Sequence, residues 1–405
     1  MTTINEPSLF PFPPGSSYRG PDPRYAGLRG EQPVVRVEVE GGGHAWLVTR
    51  YADIQAVLDD QRFSRAATFE PSAPKFAGLF QAPPGMIISL DPPDHTRLRT
   101  LATQAFSRER IEGMRPRVRT LVNRLLDGLG EGTVDLVRGF ATPLALTVIC
   151  ELLGVPEQDR EQFHTWVSQF ADVAGPEAEA IQARENLAGY FAGLVMAKTA
   201  EPADDVLSAM IAARDGEDKL TVEELIGLGY TLLGGGFDSS AAQVANFVLT
   251  LLTEHQDVWR RLGEHPEEIP AALEELLRTV NLTASDTSGL PRIATEDVTV
   301  GGVTIPAGDA VFLAFASANR DEAAFAEPGR RDFARADNPH MAFGYGIHHC
   351  LGAPLARLEL AVALEELTRR FPEARLAVPE SELHWRIGDV NHHLLALPVN
   401  LRRNS

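Results

Sequence analysis

Residues 339–354 read PHMAFGYGIHHCLGAP, and the cysteine at position 350 organises everything around it. Cys350 stands among three glycines and three histidines, directly before PLARLELAVALEEL, an apolar pattern of helical period. Gly344, Gly346 and Gly352 let the backbone fold tightly around the thiol and leave its amides available. A sulfur at a helix amino terminus also feels the positive end of the macrodipole, which favours thiolate. That help matters in a chain whose formal net charge is −19.

Outward from this stretch, helical periodicity dominates. Segments around 109–128, 141–153, 180–198, 221–255, 270–280 and 354–371 carry apolar residues at three- and four-residue spacing. The 221–255 segment opens on Thr221 with Glu224 three residues later, the spacing of a capping box. It runs for roughly 50 Å at 1.5 Å per residue. Near its centre lies LLGGGFDSSAA, residues 232–242. Each of Gly234, Gly235 and Gly236 costs a helix interior about 1 kcal/mol relative to alanine. Two causes fit: close packing against another helix, or passage of something flat or bulky beside Asp238 and Ser239. The stretch VVRVEVEGGGHAWLV (34–48) alternates around a glycine turn and reads as a β-hairpin, and DVTVGGVTIPAGDAVFLAF (297–315) as more sheet. No repeat, low-complexity block or linker divides the chain. The expectation is one mainly α domain with a minor β region (α+β) over 1–405, with the proline-rich residues 1–25 packing on it or partly mobile.

The totals exclude several classes. A strongly acidic chain is a poor ligand for nucleic acid or an anionic membrane. No apolar run reaches the ~18 residues of a transmembrane helix, and no secretory signal opens the chain. Two cysteines 200 positions apart do not form a disulfide framework. A cytoplasmic monomer is the expectation. Cys150, in LALTVICELLGV, sits on an apolar helical pattern and reads as a small core residue.

The residues around Cys350 leave four roles open: a buried inert thiol, a zinc ligand with His340, His348 and His349, a nucleophile with a distant histidine, and a thiolate ligand of haem iron. The glycine spacing speaks against the first, and zinc lacks a CxxC pair. The whole pattern, Phe343-Gly344-x-Gly346-x-His348-x-Cys350-x-Gly352, resembles the haem-binding loop of the cytochrome P450 family at every fixed position. Three further stretches follow the family's order. Glu275-Leu-Leu-Arg278 is similar to its Glu-x-x-Arg motif, DPPDHTRLR (91–99) to the segment meeting the haem propionates, and LLGGGFDSSAA to the oxygen-binding groove of the long central helix.

The resemblance implies the cytochrome P450 fold, with the long central helix over haem b (iron protoporphyrin IX), and a role for each matched residue. Cys350 is the axial ligand of the iron, and Phe343, His348 and Gly352 belong to its loop. His95, Arg99, Arg292 and His348 meet the propionates. His95 and Arg99 are four apart, on one helical face. Glu275 and Arg278 form a buried structural pair that supports haem incorporation. Asp238 and Ser239 deliver protons to oxygen. The family has threonine where this chain has Ser239, which keeps the hydroxyl but loses a methyl that restrains the rotamer. Alanine is usual at 235, so Gly235 widens the groove.

The implied activity is O2-dependent oxidation, hydroxylation by default, of a mid-sized natural product such as a macrolide, aromatic polyketide or cyclic or carrier-bound peptide. Oxidative C–C or C–N coupling and haem-thiolate sensing are the alternatives. Phe69, Phe80, Met86, Thr231, Gly234, Gly235, Ser288 and Val390 are the implied substrate contacts. No dinucleotide fingerprint, flavin domain or iron–sulfur cysteine set is present, so electrons come from a separate ferredoxin and its reductase. Residues 97–124 hold eight arginines and two acids, and Arg108, Arg110 and Arg115 are the candidate docking residues for an acidic ferredoxin.

Overall fold

The long glycine-bearing segment forms one unbroken α-helix, Val222–Glu254, in a computed structural model that describes residues 9–12, 20–39, 43–74, 76, 85–130, 132–171, 176–213, 217–283, 290–386 and 391–402. Its start is the expected capping box: Thr221 accepts from the Glu224 amide, and the Glu224 carboxylate accepts from the Thr221 amide at 2.8 Å. Every residue from Ser240 to Leu252 is buried, as befits a core helix that is apolar nearly all round.

The chain forms two units, of which the second, Leu351–Asp389 with His95–Pro270 and His393–Ser405, contains this helix. Helix Thr142–Leu153 packs against it, and helix Ala353–Arg370 carries most of the amphipathic pattern that follows Cys350. A three-stranded antiparallel sheet, ordered Arg375–Leu376, Pro398–Leu401, Gly132–Asp135, completes the unit. The 109–128 periodicity resolves into two helices, Arg108–Gly113 and Arg115–Gly128. Pro116 lies in the first turn of the second helix. It has no amide proton to give a preceding turn, so the backbone restarts there.

The first unit comprises Met1–Asp94, Ala271–Cys350 and Val390–His392. It is built on a six-stranded sheet in the order Leu9–Phe10, Val34–Val39, His44–Val48, Ala310–Leu313, Arg292–Ala294, Phe63–Ser64. The hairpin of 34–48 pairs as its alternation requires, with Val37 and Val39 buried and Arg36 and Glu38 exposed. Leu9–Phe10 of the proline-rich start adds a parallel edge strand, and Phe10 joins Phe76 and Phe312 in an aromatic core. Val298–Val300 and Val303–Ile305 form a separate hairpin whose turn is Gly301-Gly302, with φ of 56° and 82°. Two positive φ values in a two-residue turn match the right-handed strand twist, and glycine adopts them without strain.

Within this unit the Glu275–Arg278 pair is fully buried and bidentate, at 2.6 and 2.9 Å. Arg278 also donates to the carbonyls of Asn319, Pro328 and Arg330. The Glu275 carboxylate accepts further bonds from the Asp332 amide, Arg335 and Asn338. A buried pair satisfied on every side is costly to open: removing one partner leaves a stranded charge worth about 3–5 kcal/mol.

Candidate functional site

The thiol loop is a set of short-range closures. The Met341 carbonyl accepts from the Gly344 amide at 2.9 Å, the Gly346 carbonyl from His349 at 3.0 Å, and the Phe343 carbonyl from Cys350 at 2.9 Å. Gly344 and Gly346 have φ of 73° and 70°, left-handed values that favour glycine. At Gly346 a side chain would also press on the Leu58 carbonyl, 3.2 Å from a built Cβ. The loop leaves Cys350 exposed, and Gly352 follows as the N-cap of helix Ala353–Arg370. His340 is held by Glu274, 2.9 Å from its Nε2, rather than joining a zinc cluster. Among the described residues no group of three or more potential ligands is placed to hold a metal ion. Cys150 is a core residue: it is buried, and burial pushes its thiol up to about 12.

In the same unit, Arg292 is 5% exposed on a strand of the sheet. Burial, and then the positive charge of Arg65, push its guanidinium down to about 9, while Asp91 acts the other way. Arg65 is itself pushed down to about 10 by burial. Two buried guanidinium groups thus lie beside the Asp91 carboxylate, chemistry that suits a ligand bearing carboxylates. That donor set, with an exposed thiol on a glycine-built loop, fits an iron porphyrin bearing carboxylates.

In the other unit, His95 and Arg99 share a face of helix Asp94–Ala105, with His95 buried. On the long helix, a Cβ built at Gly234 or Gly235 meets no other atom within 4 Å, and both positions are exposed. At Gly236 it would approach Ile149 to 3.3 Å. The run therefore has two causes: Gly236 admits a neighbouring helix, while Gly234 and Gly235 present bare backbone. Ser239 donates its hydroxyl proton to the Gly235 carbonyl, and Thr231 does the same to Gly227 at 2.9 Å. Asp238 lies 2.6 Å from His393 Nε2.

Phe69 and Met86 are half-buried. Phe80, Ser288 and Val390 lie outside the described residues. Arg108 is exposed, whereas Arg110 is 3.0 Å from Asp204 and Arg115 is 2.9 Å from Glu112. Arg97 and Arg119 of the same basic stretch are also ion-paired, with Asp218 and Glu224 and with Glu365 and Glu366. The arginine excess visible in sequence is thus partly neutralised by distant acids.

A family model described as Cytochrome P450 matches residues 134–376. The chain is 43% identical over 402 residues to the mycinamicin IV hydroxylase/epoxidase of Micromonospora griseorubida, covering 98% of this chain and 99% of that protein. The chain belongs to the cytochrome P450 family. The nocardicin C N-oxygenase of Nocardia uniformis is 45% identical over 381 residues, 93% of this chain and 94% of that one. Among solved structures, a single-residue mutant of the mixed-function P450 MycG in complex with mycinamicin IV superposes with a TM-score of 0.90 at 42% identity, covering 97% of this chain and all of that one. This P450 is an oxidoreductase of the monooxygenase type with haem as cofactor, using O2, a small-molecule substrate and a redox partner. No helix among the described residues is long and apolar enough to cross a membrane.

Sequence reading missed three polar residues of this P450: Arg65, His393 and Glu359. The last lies on helix Ala353–Arg370, 2% exposed, with its side chain bonded to Ser240. One of its carboxyl oxygens, Oε1, has no hydrogen-bond partner. Burial pushes this carboxyl up to about 8 from an ordinary 4.5. The folded protein therefore holds the proton more tightly than the unfolded chain. The resulting stability is complete below pH 4.5 and is lost as pH rises toward 8. Urea unfolding of the haem-loaded protein should show a decline of up to roughly 4 kcal/mol across that interval. In Glu359→Gln this component of the decline should vanish; an identical slope in the variant would mean that Glu359 titrates normally.

Proposed function

We propose that this P450 hydroxylates a macrolide-type natural product, with Cys350 as the thiolate that would hold the haem iron and Asp238 and Ser239 as the proton-delivering pair. Both units act together as one catalytic domain in this reading. The observation that carries it is the bare backbone at Gly234 and Gly235, one turn from Asp238 and Ser239. The helix surrenders side chains where a bulky substrate and oxygen need room, and places its acid and hydroxyl beside that opening. The relatives named for mycinamicin support a macrolide-type substrate, and the N-oxygenase shows that nitrogen-containing substrates also occur among close relatives.

Haem, when bound through Cys350, supplies the redox chemistry that splits O2 and inserts one atom into substrate. The chain's own residues do the rest. The glycine loop fixes the sulfur. Arg292, His348, His95 and Arg99 are the residues that would meet the haem propionates. Phe343 accepts from the Cys350 amide through its carbonyl and so belongs to the same loop. Ser239 rests with its hydroxyl on the Gly235 carbonyl and relays a proton by giving up its own as it accepts one, so the hydroxyl is regenerated. Asp238 exchanges protons with solvent and presents them to that hydroxyl. Thr231, Phe69 and Met86, with Phe80, Ser288 and Val390, are the proposed substrate contacts.

One experiment tests ligand and reaction together. Purified protein, reduced under carbon monoxide, should show the red-shifted Soret band of thiolate ligation. Cys350→Ser should lose that band and Cys150→Ser should keep it. Turnover of a macrolide panel with ferredoxin, reductase and isotopically heavy dioxygen should give product carrying one heavy oxygen atom. A histidine-type spectrum rejects the ligand, and products formed without heavy oxygen reject hydroxylation.

A ferredoxin supplies the electrons in the same proposal, docking where Arg108 is exposed beside Arg110 and Arg115. Exposed charges of this kind act mainly on association rate. Converting the three arginines to glutamate should lower ferredoxin-driven turnover at low salt by about tenfold, with the difference shrinking as salt screens it. Unchanged turnover at low salt would place the docking surface elsewhere.

A further inference from the structure

Arg65 is kept almost wholly out of water, 3% exposed, immediately after strand Phe63–Ser64. That strand pairs with Arg292–Ala294 in the register Phe63 to Ala294 and Ser64 to Ile293. The next step of the register brings Arg65 beside Arg292. The backbone of Arg65 is fixed from both ends. The Asp91 carboxylate accepts from the Arg65 amide at 2.9 Å, from the Ala66 amide at 3.1 Å and from the Ser64 hydroxyl. The Arg65 carbonyl accepts from the Thr68 hydroxyl at 2.7 Å.

The guanidinium on this fixed stem reaches two carbonyls. Its Nε donates to Ile88 at 3.0 Å, and its Nη1 donates to Pro291. A planar fork with rigidly spaced donors suits the holding of two oxygens at once. Burying a cation for that purpose is costly, and the peptide it grips is one that needs holding. Leu290, directly before Pro291, has φ of 48°, a left-handed value unfavourable for leucine. Such a conformation persists only where its surroundings over-determine it. On the other side of Pro291, Arg292 enters the sheet opposite Val311. The Pro291 carbonyl therefore stands between a strained residue and Arg292, and Arg65 fixes its direction.

We propose that Arg65 is a positioning residue: by holding the Pro291 carbonyl against the strain at Leu290, it sets where the Arg292 guanidinium meets the haem carboxylates. This rests on the reading of Arg292 as a propionate residue. The role runs through the peptide alone and is independent of the other partners of the Arg292 side chain. Arg65 needs no contact with the cofactor to perform it.

The test compares Arg65→Met, Arg65→Lys, Leu290→Gly, Arg292→Met and the double variants Arg65→Met/Leu290→Gly and Arg65→Met/Arg292→Met. Two quantities are read without turnover: the rate at which haem passes to excess apomyoglobin, and the reduction midpoint of the haem. In Arg65→Met haem should leave about tenfold faster, the loss of one charge-assisted hydrogen bond. The midpoint should move to lower potential, because a carboxylate less closely met by its cation disfavours the added electron. Arg65→Lys, which keeps the charge but not the fork, should fall between parent and Arg65→Met. Should Arg65→Met not take up haem, Arg65→Lys replaces it in the double variants. Glycine adopts a φ of 48° without strain. Leu290→Gly should therefore restore most of the loss in Arg65→Met while changing the parent little. Adding Arg65→Met to Arg292→Met should have no further effect. The proposal is overturned if the Arg65 variants keep the parent's haem retention and midpoint, if glycine at 290 restores nothing, or if the Arg65 and Arg292 losses add. Unchanged retention and midpoint in Arg292→Met would instead reject the propionate reading on which the proposal stands.

Discussion

The buried carboxylate of Glu275 is the knot of the first unit. It grips Arg278, the Asp332 amide, Arg335 and Asn338 at once, so the chain entering the thiol loop is fixed before the loop begins. Beyond it, Tyr51 donates to the Pro339 carbonyl and Asn319 accepts from the Met341 amide, at 2.7 Å each. Only then come the two left-handed glycines and Cys350. Under the proposed role of Cys350, such a run of over-determined backbone is what a sulfur needs to meet a rigid cofactor at one point, because an error of one ångström there would be felt in every later step. Arg278, pinned between a carboxylate and three carbonyls, keeps that carboxylate charged although it lies out of water.

The second unit solves a different problem. A helix wholly buried from Ser240 to Leu252 must still handle polar groups near its middle. It does so in three ways within three residues. Asp238 is held by an outside histidine, Ser239 by its own helix, and Ser240 by a carboxyl that burial keeps protonated. Charged, neutral and hydroxyl partners thus sit side by side, each satisfied by a neighbour of matching character.

Much of this was legible in the sequence, and unevenly so. The capping box at Thr221, the hairpin of 34–48 and the loop around Cys350 are local patterns whose physics involves neighbours within a few residues, and they appear where the pattern placed them. The family resemblance carried fold and cofactor because its fixed residues are spaced along one loop. Glycine chemistry was half readable. The run announced an opening, but only three dimensions separate Gly236, pressed by Ile149, from Gly234 and Gly235. The arginines of 97–124 misled in degree, because Asp204, Asp218, Glu365 and Glu366 are remote in sequence. His393 left no signal at all: in NHHLL it has no period, cap or motif, and its partner lies 155 residues away.

The bare stretch at Gly234 and Gly235 also bears on how such an enzyme changes over time. Because a methyl added there touches nothing of the protein, alanine at either position would strengthen the helix by about 1 kcal/mol while narrowing only the space above it. Most alterations to a binding cavity weaken the fold that surrounds it. In the proposed site, selectivity and robustness would therefore move together: the same methyl that takes space from substrate firms the helix beneath it.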